Sequence, residues 1–132
     1  NTDFNTEISA LRMIAGMRFT QARLEDGRVE YQRALAIFSK YPDFDPFTKI
    51  STNVQTELAW AYSEAVSNAF ALANQHIRNA GDIVTPLPPS PGSDMLKAMV
   101  SQARAQLSSG SQLPNTLPPP PLNTLAPVTP KQ

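Results

Sequence analysis

At 132 residues, 41% of them hydrophobic, the chain has room for one small domain and no more. Its 11 basic and 11 acidic side chains cancel, so no bulk attraction to nucleic acid or to an anionic membrane is implied. With no cysteine, disulfides and thiolate chemistry are excluded, and no apolar run approaches the ~20 residues that span a bilayer.

Asn5 or Thr6 is the expected cap of a first helix, with Glu7 near its positive end. Phe4, Ile8, Leu11, Ala15, Phe19 and Ala22 recur at helical spacing, and Ile14, Met17 and Leu24 form a neighbouring stripe. So broad an apolar face suits a bundle core or a subunit interface. Around Asp26-Gly27 two readings compete. Asp-Gly between Leu24 and the Val29/Tyr31 pair is a hairpin signal, which makes a β-hairpin over 19–31 the alternative. The favoured reading ends one helix at Glu25, with Gly27 as a left-handed cap, and starts another at Arg28, because the Ala, Arg, Gln and Glu that follow prefer helix. That helix carries Tyr31, Leu35 and Phe38 and stops before Pro42. In the loop beyond it, Phe44 and Phe47 are too apolar for solvent and are expected to pack on the core or on a neighbour.

The longest predicted element runs from about Thr52 to Asn79, capped by Ser51 or Thr52 and stopped by Gly81. Val54, Leu58, Ala61, Tyr62, Ala65, Ala69, Leu72, Ala73 and Ile77 repeat along one side of it. Such a helix is roughly 40 Å long and reads as a spine. Residues 83–92 form a Pro-rich linker, stiffened toward polyproline II. A short amphipathic helix over 93–109 follows, with Met95, Leu96, Met99, Val100, Ala103 and Leu107 on its apolar face. Held away from a helical core over 1–82 by the linker, that face is expected to dock in a partner's groove; the competing reading folds it back on the first domain.

Residues 110–132 hold seven prolines, no aromatic residue and one charge, Lys131. Such a segment cannot offset its own ordering entropy, so it is expected to act as an extended arm gripping neighbouring subunits. Leu117 and Leu125, eight residues apart in similar Asn-Thr-Leu contexts, and Pro118, Pro119, Pro120 and Pro121 are its candidate contacts. In polyproline II the arm reaches about 70 Å.

Catalytic chemistry finds little support. His76 is the only histidine, and within its own predicted helix the nearest acid, Glu64, is more than three turns away. No serine has a base and orienting acid beside it, and Asp43 and Asp45 belong to a loop or an Asx turn before Pro46. No enzyme activity, metal or cofactor is expected. Six cations, Arg12, Arg18, Arg23, Arg28, Arg33 and Lys40, outnumber the three acids between residues 12 and 40. Arg18, Arg23, Arg28 and Arg33 are candidates for subunit contacts or, less favourably, nucleic acid, against a solvated helix surface with pairs such as Glu30 with Arg33. Trp60 and Tyr62 read as core or interface anchors.

The stretch EYQRALAIFSKYPDFDP resembles the second helix of a tetratricopeptide repeat, with Tyr31, Ala34, Leu35 and Pro42 supplying its residue types. No second copy occurs at the period of about 34 residues that this family requires, so a repeat array is not expected. The fold class expected is mainly α: a small helical bundle or helical hairpin with one long helix, then linker, short helix and arm. The expected function is a non-enzymatic subunit of a large assembly, including copies of itself, with a virion component such as a phage connector or internal protein as the analogy. The alternative is a soluble adaptor whose loose PxxP patterns in the tail recruit SH3- or WW-like domains.

Overall fold

A computed structural model describes residues 2–41 and 45–108. Among them are five α-helices and no strand: α1 (Thr2–Thr20), α2 (Leu24–Leu35), α3 (Pro46–Val66), α4 (Phe70–Val84) and α5 (Pro91–Ser108), with a 3₁₀ turn at Ile37–Lys40. The fold is mainly helical, as its sequence periodicity implies, and the β-hairpin alternative over 19–31 is not adopted. None of these helices is long and apolar enough to cross a membrane.

Successive helices alternate in direction. Phe4 meets Phe38 at 4.8 Å and Phe19 meets Tyr31 at 5.9 Å, so α1 and α2 are antiparallel. Glu57 and His76 pair across α3 and α4 at 2.8 Å, which makes these antiparallel too. α3 and α5 run parallel, because Phe47 lies against Gly92 at their starts and Tyr62 donates to Gln106 near their ends. The first hairpin closes on Phe4, Ile8, Ala34, Ile37 and Phe38. Ala15, Phe19, Tyr31, Ala59 and Trp60 join it to α3. The largest core unites Val54, Leu58, Ala61 and Ala65 of α3, Ala73, Ile77, Ala80 and Val84 of α4, and Leu96, Val100, Ala103 and Leu107 of α5.

The two hairpins are copies of one another in geometry. Among the described residues, Ala22 and Asn68, 46 positions apart, are the two non-glycine residues with positive φ, at 62° and 66°. The residues after them, Arg23 and Ala69, have nearly identical backbones, φ −98° and ψ 68° against φ −93° and ψ 69°. Each donates its N–H across the turn over 2.8 Å, Arg23 to Arg18 O and Ala69 to Glu64 O. At the same offset, buried Gly27, Tyr31 and Ala34 of α2 match buried Ala73, Ile77 and Ala80 of α4. Ile8, Ala15 and Phe19 of α1 likewise match Val54, Ala61 and Ala65 of α3. A repeat is therefore present where none was expected. Its period is 46 residues, and its signature is a pattern of small and apolar positions, with little identity of side chains.

Several expected boundaries move. α1 begins at Thr2, ahead of Asn5 and Thr6. The single helix over Thr52–Asn79 is two helices, broken at 67–69. Its apolar periodicity carries across the break because both halves bury on one core, and Asn68 makes the left-handed turn without a glycine or proline to mark it. The start of α3 lies upstream at Pro46, where the Asp45 carboxylate accepts from Thr48 N at 2.9 Å and proline occupies the first turn. Gly27 and Gly81 are not helix stops. Gly27 lies inside α2 where a Cβ would stand 2.5 Å from Phe19 Cδ1, and Gly81 lies inside α4 under Arg104 and Val100.

The Pro-rich linker does not hold the last helix apart. α4 extends to Val84, and Leu87 packs on the large core. Lys97 Nζ donates to Leu87 O at 3.1 Å and Ser93 Oγ to Pro88 O at 2.7 Å, which pins the connection. α5 is thus the closing layer of the same core, the reading in which it folds back.

Candidate functional site

α3 is the centre of the molecule and presents two different faces. Its apolar face meets α4 and α5, as above. The other face, one row of residues at helical spacing from Asn53 to Glu64, is polar and is closed over by the first hairpin and by α4. Along it lie the charged and titratable side chains that the fold brings together.

Glu64 is fully buried. Arg28 grips its carboxylate in a fork, Nε donating to Oε2 at 2.8 Å and Nη2 to Oε1 at 2.7 Å, and Trp60 Nε1 donates to Oε2 at 2.9 Å. The remaining guanidinium nitrogen donates to Glu25 at 2.8 Å, and the group stands 6.0 Å from the centre of the Phe19 ring. The carboxylate fork holds the guanidinium in its charged form well beyond the usual arginine range. One turn earlier, Trp60 lies between two rings, stacked on Tyr31 at 5.4 Å and on His76 at 4.0 Å. Tyr31 Oη lies 2.8 Å from Ser63 Oγ and donates to Ala59 O at 3.3 Å, and burial raises its phenol above the ordinary value. His76 Nδ1 meets Glu57 Oε1 at 2.8 Å, and Asn79 Nδ2 donates to the same oxygen at 3.3 Å.

At the start of the row the fit is poorer. Arg12 Nη1 donates to Thr56 Oγ1 at 3.3 Å, while Arg12 Nε and Asn53 Oδ1 are buried without a hydrogen-bond partner among the described residues. Burial lowers the Arg12 pKa, since no carboxylate among those residues compensates its charge.

Chemically this row is a lock. Each acid is already engaged by a fixed donor, and among the described residues no three His, Cys, Asp or Glu side chains converge on a metal position. The His76–Glu57 pair is held under Trp60 with no nucleophile hydrogen-bonded to the imidazole among the described residues. The contacts of Arg12, Arg28 and Tyr31 join the first hairpin to α3, and those of His76 and Asn79 join α4 to α3.

The residues expected from sequence to bind partners are distributed differently. Leu96, Val100 and Leu107 are buried inside the chain's own core, and Met99 packs at its edge. They are therefore intramolecular contacts in this fold, a correction that follows from the short, pinned linker. Met95 remains 61% exposed. Leu117, Pro118, Pro119, Pro120, Pro121 and Leu125 lie outside the described residues. Among the arginines, Arg28 is committed to Glu64, Arg23 pairs with Asp26 at 2.8 Å, and Arg33 reaches Glu30 at 3.5 Å, the intrahelical pair that the sequence suggests. Arg18 is half-buried on α1 with no ion pair among the described residues.

Sequence reasoning missed Glu64, Glu57 and Arg12 as members of one site. The acid that meets His76 comes from the antiparallel helix, 19 residues back, and becomes visible only once the turn at Asn68 is known. An early signal was available in α3 itself, where Glu57 and Glu64 fall on helical spacing among the apolar Leu58, Ala59, Trp60, Ala61 and Ala65. No family model matches the chain, and neither the curated proteins nor the solved structures yield a match.

Proposed function

We propose that the chain is a non-enzymatic structural subunit of a larger protein assembly, with a virion component such as a phage connector or internal protein as its closest analogy. The body is a helical platform, and residues 110–132 and the outer faces of the helices make the contacts. The observation that carries this reading is where the polar and apolar side chains are spent. The ionisable groups that could do chemistry are locked in internal pairs along α3, while Met13, Met17 and Met95 are left 65%, 48% and 61% exposed on outer helices. Methionine suits irregular partner surfaces. Helical repeats commonly serve as binding scaffolds, and a chain rich in proline and leucine, as over 113–128, suits an extended ligand.

Deleting 110–132 tests the proposal. The far-ultraviolet circular dichroism of the truncated chain is expected to keep its helical signal, and its incorporation into the native assembly is expected to be lost. Normal incorporation of the truncated chain would contradict the reading. A peptide of 110–132 that binds SH3- or WW-like domains by itself would favour the adaptor alternative.

A further inference from the structure

The 46-residue repeat shows which surface of the body is incomplete. On α3, the face made by Thr56, Ala59, Trp60 and Ser63 is covered by the first hairpin: Arg12 donates to Thr56, Ala59 and Trp60 share a cluster with Ala15, Phe19 and Tyr31, and Tyr31 meets Ser63. Moving back by one repeat, those four positions become Ala10, Met13, Ile14 and Met17 of α1. Here nothing among the described residues covers them. Ala10, Met13 and Met17 are exposed, and Ile14 is only half-buried. The space where Gly16 would carry a Cβ is open. The opposite end of the body is closed differently. α5 seals it, and its exposed residues include the polar Asp94, Ser101, Gln102, Arg104 and Ser108, with Met95, Ala98 and Ala105 among them. Repeat arrays need polar outer faces at their ends to stay dispersed. This one has a mainly polar face at α5, broken by Met95, and an apolar one at α1.

We propose that the α1 face, centred on Met13 and Met17, is the interface through which two copies of this chain associate about a two-fold axis, α1 against α1 in antiparallel orientation. The difference between the ends argues against head-to-tail stacking, since that would set the apolar α1 face mainly on Asp94, Ser101, Gln102, Arg104 and Ser108 of α5. A two-fold contact instead places the same apolar patch on itself, Met13 and Met17 of one copy entering the space left by Ala10 and Gly16 of the other. The charges agree. Glu7 and Arg18 lie about three turns apart on one flank of the stripe, and in an antiparallel pair like flanks face each other. A crossing centred on Met13 therefore brings Arg18 of each copy within about 2 Å, along the helix axis, of the level of Glu7 of the other, adding to the Lys40 and Tyr41 that Glu7 already holds at 2.7 and 2.9 Å. The patch is one helix wide, which places the contact among small, reversible interfaces.

The proposal rests on the assembly reading for its premise that copies meet, and it is tested without the arm's partners. Sedimentation velocity of the full chain over about 5–200 µM, a span suited to small interfaces, is expected to show a monomer–dimer equilibrium. Met13→Glu with Met17→Glu is expected to raise the dissociation constant at least about tenfold, and Arg18→Glu to raise it less. Circular dichroism should show both variants folded, because these side chains are exposed or peripheral. A full chain that stays monomeric throughout, or a dimer indifferent to the double substitution, would overturn the proposal. A monomeric chain that still enters its assembly through 110–132 would overturn it while leaving the assembly reading intact.

Discussion

Glu64, buried on α3, and Arg12, half-buried on α1 against the same row, are charges whose surroundings give them opposite consequences. The Glu64 oxygens are taken up by the fork with Arg28 and the indole of Trp60. Removing one partner strands the other, so Arg28→Met is expected to lower unfolding free energy by about 3–5 kcal/mol, with Arg28→Met/Glu64→Leu recovering much of the loss. Arg12 has no carboxylate among the described residues and an unpartnered Nε, so Arg12→Met is expected to be neutral or stabilising. Urea titration followed by fluorescence of Trp60, the one tryptophan, checks both. Gly27 offers a third case at this scale. Alanine there gains helix propensity, but its Cβ would meet the Phe19 ring at 2.5 Å and Ala15 O at 3.0 Å. A net loss of about 1–3 kcal/mol is expected in the same assay.

At the scale of elements, the two turns carry the repeat, and they are not equally comfortable. A left-handed backbone costs alanine more than asparagine, so Ala22→Gly is expected to stabilise by about 1 kcal/mol and Asn68→Gly by less, read as a larger rise in Tm for the first. α5 has its own signature in pH. Burial pushes the Tyr62 phenol up to about 12, while in the unfolded chain it ionises near the ordinary value of 10. A raised pKa contributes stability that is complete below the unfolded value and is lost as pH rises through the folded one. Stability is therefore expected to fall between about pH 10 and 12, by on the order of 2 kcal/mol from this residue. Tyr31, also raised, adds to the same slope. Tyr62→Phe should flatten the dependence of the urea midpoint on pH in that window, and an unchanged slope would contradict the burial of Tyr62 under α5.

These elements also show how far the sequence can be read. The helical face of α1, the helix at Tyr31 and the apolar stripe of α5 were all legible, because buried residues in helices recur every three or four positions. The turn at Asn68 was not, since the stripe from Val54 to Ile77 runs through it unbroken and no glycine or proline stands there. Missing that turn hid the antiparallel packing of α3 and α4, and with it the meeting of Glu57 and His76. The repeat escaped for a related reason. Gly27, Tyr31 and Ala34 share burial with Ala73, Ile77 and Ala80 but only one identity, at a spacing of 46 residues and not near 34. Whether α5 docks on its own chain or a partner depended on a linker whose prolines suggested separation, whereas Leu87, Ser93 and Lys97 fasten it.

At the scale of the whole molecule, the described residues form a two-hairpin body, sealed by α5, with the α1 stripe turned outward and the segment beyond Ser108 proposed to reach neighbouring chains. A photo-crosslinking amino acid placed in turn at positions 13, 117 and 125 of the full chain, with products mapped by mass spectrometry from the native complex, tests this most directly. Crosslinks are expected from position 13 to α1 of a second copy and from positions 117 and 125 to other chains. Crosslinks from 117 and 125 confined to residues 2–108 of the same chain would contradict it, and the protein would then be a self-contained domain.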